Sequence, residues 1–162
     1  MVVKDVMTSG NSVRKIKMGQ PLSDAAKSMK QYKVSALPVV DHADKVVGIV
    51  SRRDIEGKCG LECKSQGLDF EPLDAIASQI GTDRHLFGNV MLAYGSVGQT
   101  NVDEIMTKDV ITAREDEELT AVIRRMAQHQ INHLPVVNYR NELRGIIARA
   151  DIIRAVAESA SA

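Results

Sequence analysis

The strongest constraint on this chain is an internal repeat. Val34-Ser35-Ala36-Leu37-Pro38-Val39-Val40 leads on to Gly48-Ile49-Val50-Ser51-Arg52-Arg53-Asp54-Ile55. Ile131-Asn132-His133-Leu134-Pro135-Val136-Val137 leads in the same way to Gly145-Ile146-Ile147-Ala148-Arg149-Ala150-Asp151-Ile152. From Leu22/Leu119 through Asp54/Asp151 the copies hold a constant offset of 97 residues without a gap. Self-similarity of this length describes one supersecondary unit made twice. The 162 residues are one domain's length, or two small repeats sharing one core.

Each copy opens on Met-Thr, at Met7-Thr8 and Met106-Thr107, and then on a short extended run, Ser12–Ile16 in the first and Asp109–Thr112 in the second. A helix follows, with apolar residues at i, i+3, i+4 and i+7: Leu22, Ala25, Ala26 and Met29, matched by Leu119, Val122, Ile123 and Met126. Methionines at that spacing read as core residues. Leu-Pro-Val-Val is a short buried strand with proline near its start. Turns at Asp41–Asp44 and Asn138–Asn141 lead to a second strand that ends in Gly-Ile-Val or Gly-Ile-Ile. A helix then begins at Ser51 or Ala148. The expectation is a mixed α+β fold of two β-α-β-β-α repeats, 1–56 and 101–162, with a helical insertion between them at 57–100.

The insertion carries two helix-like pieces, Pro72–Ile80 stopping at Gly81 and Leu86–Tyr94 stopping at Gly95. Phe87, Met91 and Tyr94 make an apolar stripe that suits packing on the module or a partner subunit. Cys59 and Cys63 would share one face of a helix, but four-coordinate zinc needs two further ligands that nothing nearby supplies. Two cysteines are also too few for a disulfide framework, so ordinary reduced thiols are expected. Lys and Arg balance Asp and Glu at 21 each, which argues against a large nucleic-acid footprint. No apolar run reaches the roughly 20 residues that cross a bilayer, and the N-terminus lacks a signal-peptide pattern. The expected location is cytoplasmic.

Chemistry concentrates where the last strand of each repeat meets its helix. Backbone N–H groups are unpaired there and the helix dipole is positive, which suits an anion such as phosphate. Arg52 and Arg149 occupy equivalent positions and each offers a forked donor. Asp54 and Asp151 follow, and a carboxylate there can accept both hydroxyls of a ribose diol. Ser51-Arg52-Arg53-Asp54 also reads as a capping box, so capping and ligand binding both stand for the first copy. In the second copy Ala148 has no hydroxyl yet Asp151 remains, an argument for a role beyond the cap. No nucleophilic triad, Walker-type loop, HExxH or G-x-G-x-x-G is present, so no catalytic residue and no metal site is assigned.

The doubled pattern of Met-Thr, Leu-Pro-Val-Val and Gly-h-h-[Ser/Ala]-x-x-Asp, with h apolar, resembles a tandem pair of cystathionine-β-synthase (CBS) domains, a Bateman module. The resemblance covers nearly all of the chain outside the 56–100 insertion. It implies two repeats packed with pseudo-twofold symmetry around two clefts that take adenosine nucleotides. Carried over by position, the first cleft would use Ser51, Arg52 and Asp54 with Ile111, Asn132 and His133. The second would use Arg149 and Asp151 with Arg14 and Ser35. Ala148 in place of a hydroxyl, and Ala36 where the other copy has His133, make the second cleft the weaker. A histidine before a buried strand also serves as a structural hydrogen-bonder.

The resemblance further implies a homodimer and a regulated partner protein or domain. The expected function is regulatory sensing of AMP, ADP, ATP or S-adenosylmethionine, with no required cofactor and no enzymatic activity. The alternative is a structural or protein-interaction module with vestigial clefts. A third reading makes Cys59 and Cys63 a redox or metal sensor.

Overall fold

The computed structural model describes residues 1–65 and 99–161, with side chains as far as residue 58 in the first stretch. The helices expected at 72–80 and 86–94 lie outside the described residues. In chain order the elements are β1 (Thr8–Ser9), β2 (Ile16–Lys17), α1 (Leu22–Tyr32), β3 (Ala36–Val40), β4 (Val46–Ser51) and α2 (Arg52–Ser65). There follow α3 (Val102–Ile105), β5 (Ala113–Arg114), α4 (Leu119–His129), β6 (His133–Val137), β7 (Leu143–Ala148) and α5 (Arg149–Ala160). From β2 to the start of α2, every boundary recurs 97 positions later, so each repeat is β-α-β-β-α.

The opening strands are shorter and later than the extended runs at Ser12–Ile16 and Asp109–Thr112. Gly10–Ser12 is a turn of 3₁₀ helix, and the strands begin only at Ile16 and Ala113. Their parallel partners explain the length. Ile16 and Lys17 pair with Val39 and Val40, and Ala113 and Arg114 with Val136 and Val137. The residue before each pair is Pro38 or Pro135, which has no N–H to extend a ladder.

Two compact units result, and neither is a single repeat. The first comprises Met1–Lys17, Pro38–Ile49 and Thr107–Ala162. The second comprises Met18–Leu37 and Val50–Met106.

In the first unit, a sheet of order β1-β7-β6-β5 carries α4 on its apolar stripe. Leu119, Val122 and Met126 of that helix are buried with Ala113, Leu134, Val136 and Ile147. Val3 completes this cluster at 0% exposure, although it belongs to the segment leading into the other repeat. A buried Val or Leu contributes about 1.5–3 kcal/mol, so the leader is a material part of this small core. It is tied on by Val3 N–H to the Glu117 carbonyl (3.0 Å) and by antiparallel pairing of Thr8 with Ile146. Gly145 lies under the crossing. A Cβ there would stand 2.6 Å from the Thr8 carbonyl oxygen and 2.8 Å from Met7 Sδ.

In the second unit the leader of the other repeat is tied on in the same way. Val102, also at 0% exposure, donates its N–H to the Gln20 carbonyl (3.0 Å), and Asn101 bridges to Pro21. α1 buries Leu22, Ala25, Ala26 and Met29 and packs against α2, as does α3. The leaders Val3–Thr8 and Val102–Thr107 are offset by 99 residues rather than 97. Each therefore belongs structurally to the body of the other repeat.

The two β-β turns of the first unit clasp each other. Val46 N–H donates to the Asn141 carbonyl and Leu143 N–H to that of Asp44, both at 3.0 Å. Val40, Val46, Val137 and Leu143 close over this local pseudo-twofold axis, with Val13 and Val110 beside them. Asp44 and Asn141 sit at φ 62° and 63°, which their short polar side chains tolerate. Asp41 Oδ1 accepts the N–H groups of Ala43 and Lys45, both at 2.9 Å. Asn138 Oδ1 accepts those of Arg140 and Glu142 at the equivalent turn (2.9 and 3.0 Å). Both helices before these strands end on a left-handed residue, Lys33 (φ 54°) and Gln130 (φ 53°).

Candidate functional site

In the first repeat β4 ends at Ser51 because the chain there turns into a capped helix. Asp54 Oδ2 accepts both the Ser51 N–H (2.7 Å) and the Ser51 hydroxyl (2.9 Å). The Asp54 N–H in turn donates to Ser51 Oγ at 3.3 Å. One residue on, the Arg52 N–H donates to the Ser35 carbonyl (2.8 Å), pinning the helix start to the entry of β3. The capping reading of Ser51 and Asp54 is thus satisfied.

The second repeat builds the same junction without a hydroxyl. Ala148 N–H donates to Asp151 Oδ2 (2.9 Å), and Arg149 N–H to the Asn132 carbonyl (2.9 Å). Persistence of Asp151 opposite Ala148 therefore has a structural cause, and that argument for a second role loses its force. The backbone N–H of the residue preceding the helix needs an acceptor whether or not its side chain can cap.

The junctions differ in what else is engaged. Arg52 Nε is paired to Glu56 Oε1 at 2.8 Å. The position equivalent to Glu56 is Ile153, and among the described residues no acidic side chain is paired with Arg149. The carboxylates show the reverse. Asp151 Oδ1 is held by Arg154 Nη2 at 2.7 Å, while the position equivalent to Arg154 is Gly57. Among the described residues Asp54 Oδ1 has no such partner. The first junction thus offers an open carboxylate oxygen beside a tied arginine; the second offers an open arginine beside a tied carboxylate. Charge spacings at i,i+4 and i,i+3 signalled Glu56 and Arg154 in the sequence, but only the comparison between copies gives them meaning.

His133 opposes Ala148 across the β6–β7 ladder. Burial pushes its pKa below the ordinary histidine value, and the nearby Asp151 charge partly opposes this. Ile111 is partly taken up by the core of the first unit, Arg14 is half-buried ahead of β2, and Asn132 is exposed. The structure therefore brings Ser35, Ser51, Arg52 and Asp54 together in the second unit. Asn132, His133, Arg149 and Asp151 lie together in the first unit, which also holds Arg14 and Ile111. Among the described residues no group of three or more His, Cys, Asp or Glu could hold a metal ion. No helix among them is long and apolar enough to cross a membrane.

A β-α-β-β-α unit built twice, with a strand-to-helix aspartate in each copy, defines the class: a paired-repeat α/β module. The chain belongs to the CBS domain family, whose model matches residues 3–57 and 102–158. It is 31% identical over 150 residues to the CBS domain-containing protein YhcV of Bacillus subtilis, covering 93% of this chain and 81% of that one. It is 32% identical over 154 residues to a homoserine O-acetyltransferase of Methanococcoides burtonii, covering 95% of this chain. It is also 29% identical to an inosine-5'-monophosphate dehydrogenase of Methanocaldococcus jannaschii. The chain spans only 24% and 22% of those two enzymes. Among solved structures, the CBS-pair protein CBSX2 in complex with AMP superposes with a TM-score of 0.72 at 23% identity, over 97% of both chains. The CBS domain pair of protein MJ0100, in complex with 5'-methylthioadenosine and S-adenosyl-L-methionine, gives 0.69 at 24% identity over 98% of both.

Proposed function

We propose that this protein is a regulatory module that senses an adenosine-containing ligand. The observation that carries the reading is the doubled junction, where an aspartate, an arginine and a helix N-terminus meet in each copy. The carboxylate suits the ribose diol, and the arginine and the positive end of the helix dipole suit phosphate. The AMP bound to CBSX2 and the S-adenosyl-L-methionine bound to MJ0100 support adenosine as the common element. The residues proposed to contact the ligand are Ser51, Arg52 and Asp54, with Ser35, in the second unit, and Arg149, Asp151, Asn132 and His133, with Arg14 and Ile111, in the first. The ligand acts by favouring one conformation over another, in proportion to its differential affinity for the two.

The module is read as non-catalytic, working as a homodimer on a partner protein or domain. Similarity to the two enzymes over about a quarter of their length supports this, since the module can be joined to unrelated chemistry. Thermal shift and calorimetry with AMP, ADP, ATP and S-adenosylmethionine test the reading. Ligand at 100 times its dissociation constant should stabilise by about 2.7 kcal/mol. Absence of any shift would favour an interaction module with vestigial clefts, a reading that the engaged oxygens of Asp151 support for the second site.

A further inference from the structure

At the hairpin end of the first unit lies an open groove of about 420 Å³, separate from both strand-to-helix junctions. It is lined by the apolar Met7, Val13 and Leu143, by Ser9 and Gly10, and by the charged Lys15, Asp44, Glu115 and Arg144. Arg144 precedes Ala148 by four residues of β7, about 13 Å of strand, so this is not the ground around Asp151.

The four charges are absent from the other copy. At the positions 97 residues away stand Thr112 for Lys15, Asn141 for Asp44, Met18 for Glu115 and Val47 for Arg144. Both copies form the same strands and turns, so the backbone does not require these charges. Lys15 Nζ lies 2.5 Å from Asp44 Oδ1. Arg144 Nε is 3.6 Å from Glu115 Oε2, beyond hydrogen-bond reach, so this pair spends neither its donors nor its acceptors on itself. The lining combines two positive and two negative groups with three apolar side chains. A polyanion gains nothing from such a balance, whereas a ligand with its own adjacent charges of both signs matches it. The volume falls toward the small end of small-molecule sites.

We infer that this groove binds a free α-amino acid as its zwitterion. The forked guanidinium of Arg144 takes the carboxylate, Glu115 takes the ammonium, and Met7, Val13 and Leu143 face the side chain. The test is amide chemical-shift mapping by NMR on the full chain, with a mixture of the twenty common amino acids at millimolar concentration as the probe. Shifts should gather at Lys15, Asp44 and Arg144. The corresponding deaminated acids should bind at least tenfold more weakly, and Arg144→Met or Glu115→Gln should remove the response. Both side chains are substantially exposed, so circular dichroism and the melting midpoint of these variants should match wild type. Asp151→Asn should leave the response intact. The inference is overturned if the mixture moves none of these amides, if deaminated acids bind as well, or if the variants respond like wild type.

Discussion

Arg154 Nη2 lies 2.7 Å from Asp151 Oδ1, and Gly57 stands at the matching place beside Asp54. The second aspartate therefore has both oxygens engaged, one by Arg154 and one by the Ala148 N–H, whereas among the described residues the first has no partner on Oδ1. A ribose diol arriving at Asp151 competes with Arg154 for Oδ1. The Arg154 side chain is 66% exposed, so the ion pair is worth no more than about 1 kcal/mol. Arg154→Gly should thus tighten nucleotide binding at the second site by two- to fivefold, leaving the first unchanged. Two-site calorimetry reads both constants; a weaker second site would make Arg154 a ligand contact instead.

The first junction has the complementary handicap. Glu56 holds Arg52 at 2.8 Å, with both side chains about a third exposed. Glu56→Gln removes the carboxylate that competes with an incoming phosphate for Arg52. It should raise AMP affinity severalfold at low salt, and the gain should shrink as ionic strength rises. An affinity independent of both substitution and salt would remove Arg52 from the phosphate site.

Asp54 has two duties that one substitution confounds. Its Oδ2 accepts two bonds from Ser51, so Asp54→Ala should cost about 0.5–2 kcal/mol through the lost cap. Asp54→Asn keeps an acceptor for the cap while removing the charge. It should unfold within a few tenths of a kcal/mol of wild type in urea yet lose most nucleotide affinity. Unchanged affinity in Asp54→Asn would reduce this aspartate to a helix cap.

The elements were legible in the sequence because two periods, 3.6 over Leu22–Met29 and a short apolar run through Val40, recur unchanged 97 residues on. The exchange of leaders was not. Val3 and Val102 are ordinary valines in unpatterned segments, and only the two-residue difference in offset, 99 against 97, distinguishes their attachment. Side-chain pattern reports which face is buried, not against which copy. The candidate site was legible in its residue types, since Asp54, Asp151, Arg52 and Arg149 follow from position in the repeat. Their engagement was not, because Glu56 and Arg154 act through distances of less than 3 Å that spacing alone does not fix.

Leader docking itself can be tested at Gly145. Any side chain there meets the Thr8 backbone carbonyl at 2.6 Å, which cannot rotate away as a flexible side chain could. Gly145→Ala should cost about 1–3 kcal/mol by overpacking, seen as a lower urea midpoint. Hydrogen exchange should quicken first at Thr8 and Ser9, whose pairing with Ile146 and Gly145 is pried apart.

His133 makes stability depend on pH with a definite sign. Burial is the larger influence and lowers its folded pKa, with the Asp151 charge pulling the other way. Between that lowered value and 6.5, the unfolded chain binds more protons than the folded one, so stability rises with pH through this window. The contribution is complete above 6.5 and is lost as pH falls toward the folded pKa. Urea midpoints measured from pH 7.5 downward should therefore decline, and His133→Gln should flatten that part of the profile. An anionic phosphate beside the ring would favour the imidazolium and raise its pKa. Saturating AMP should then shrink the wild-type decline on acidification, while AMP affinity itself should rise as pH falls. If His133→Gln flattens the apo profile but AMP leaves the wild-type slope unchanged, the histidine is a structural group beneath the junction and touches no phosphate.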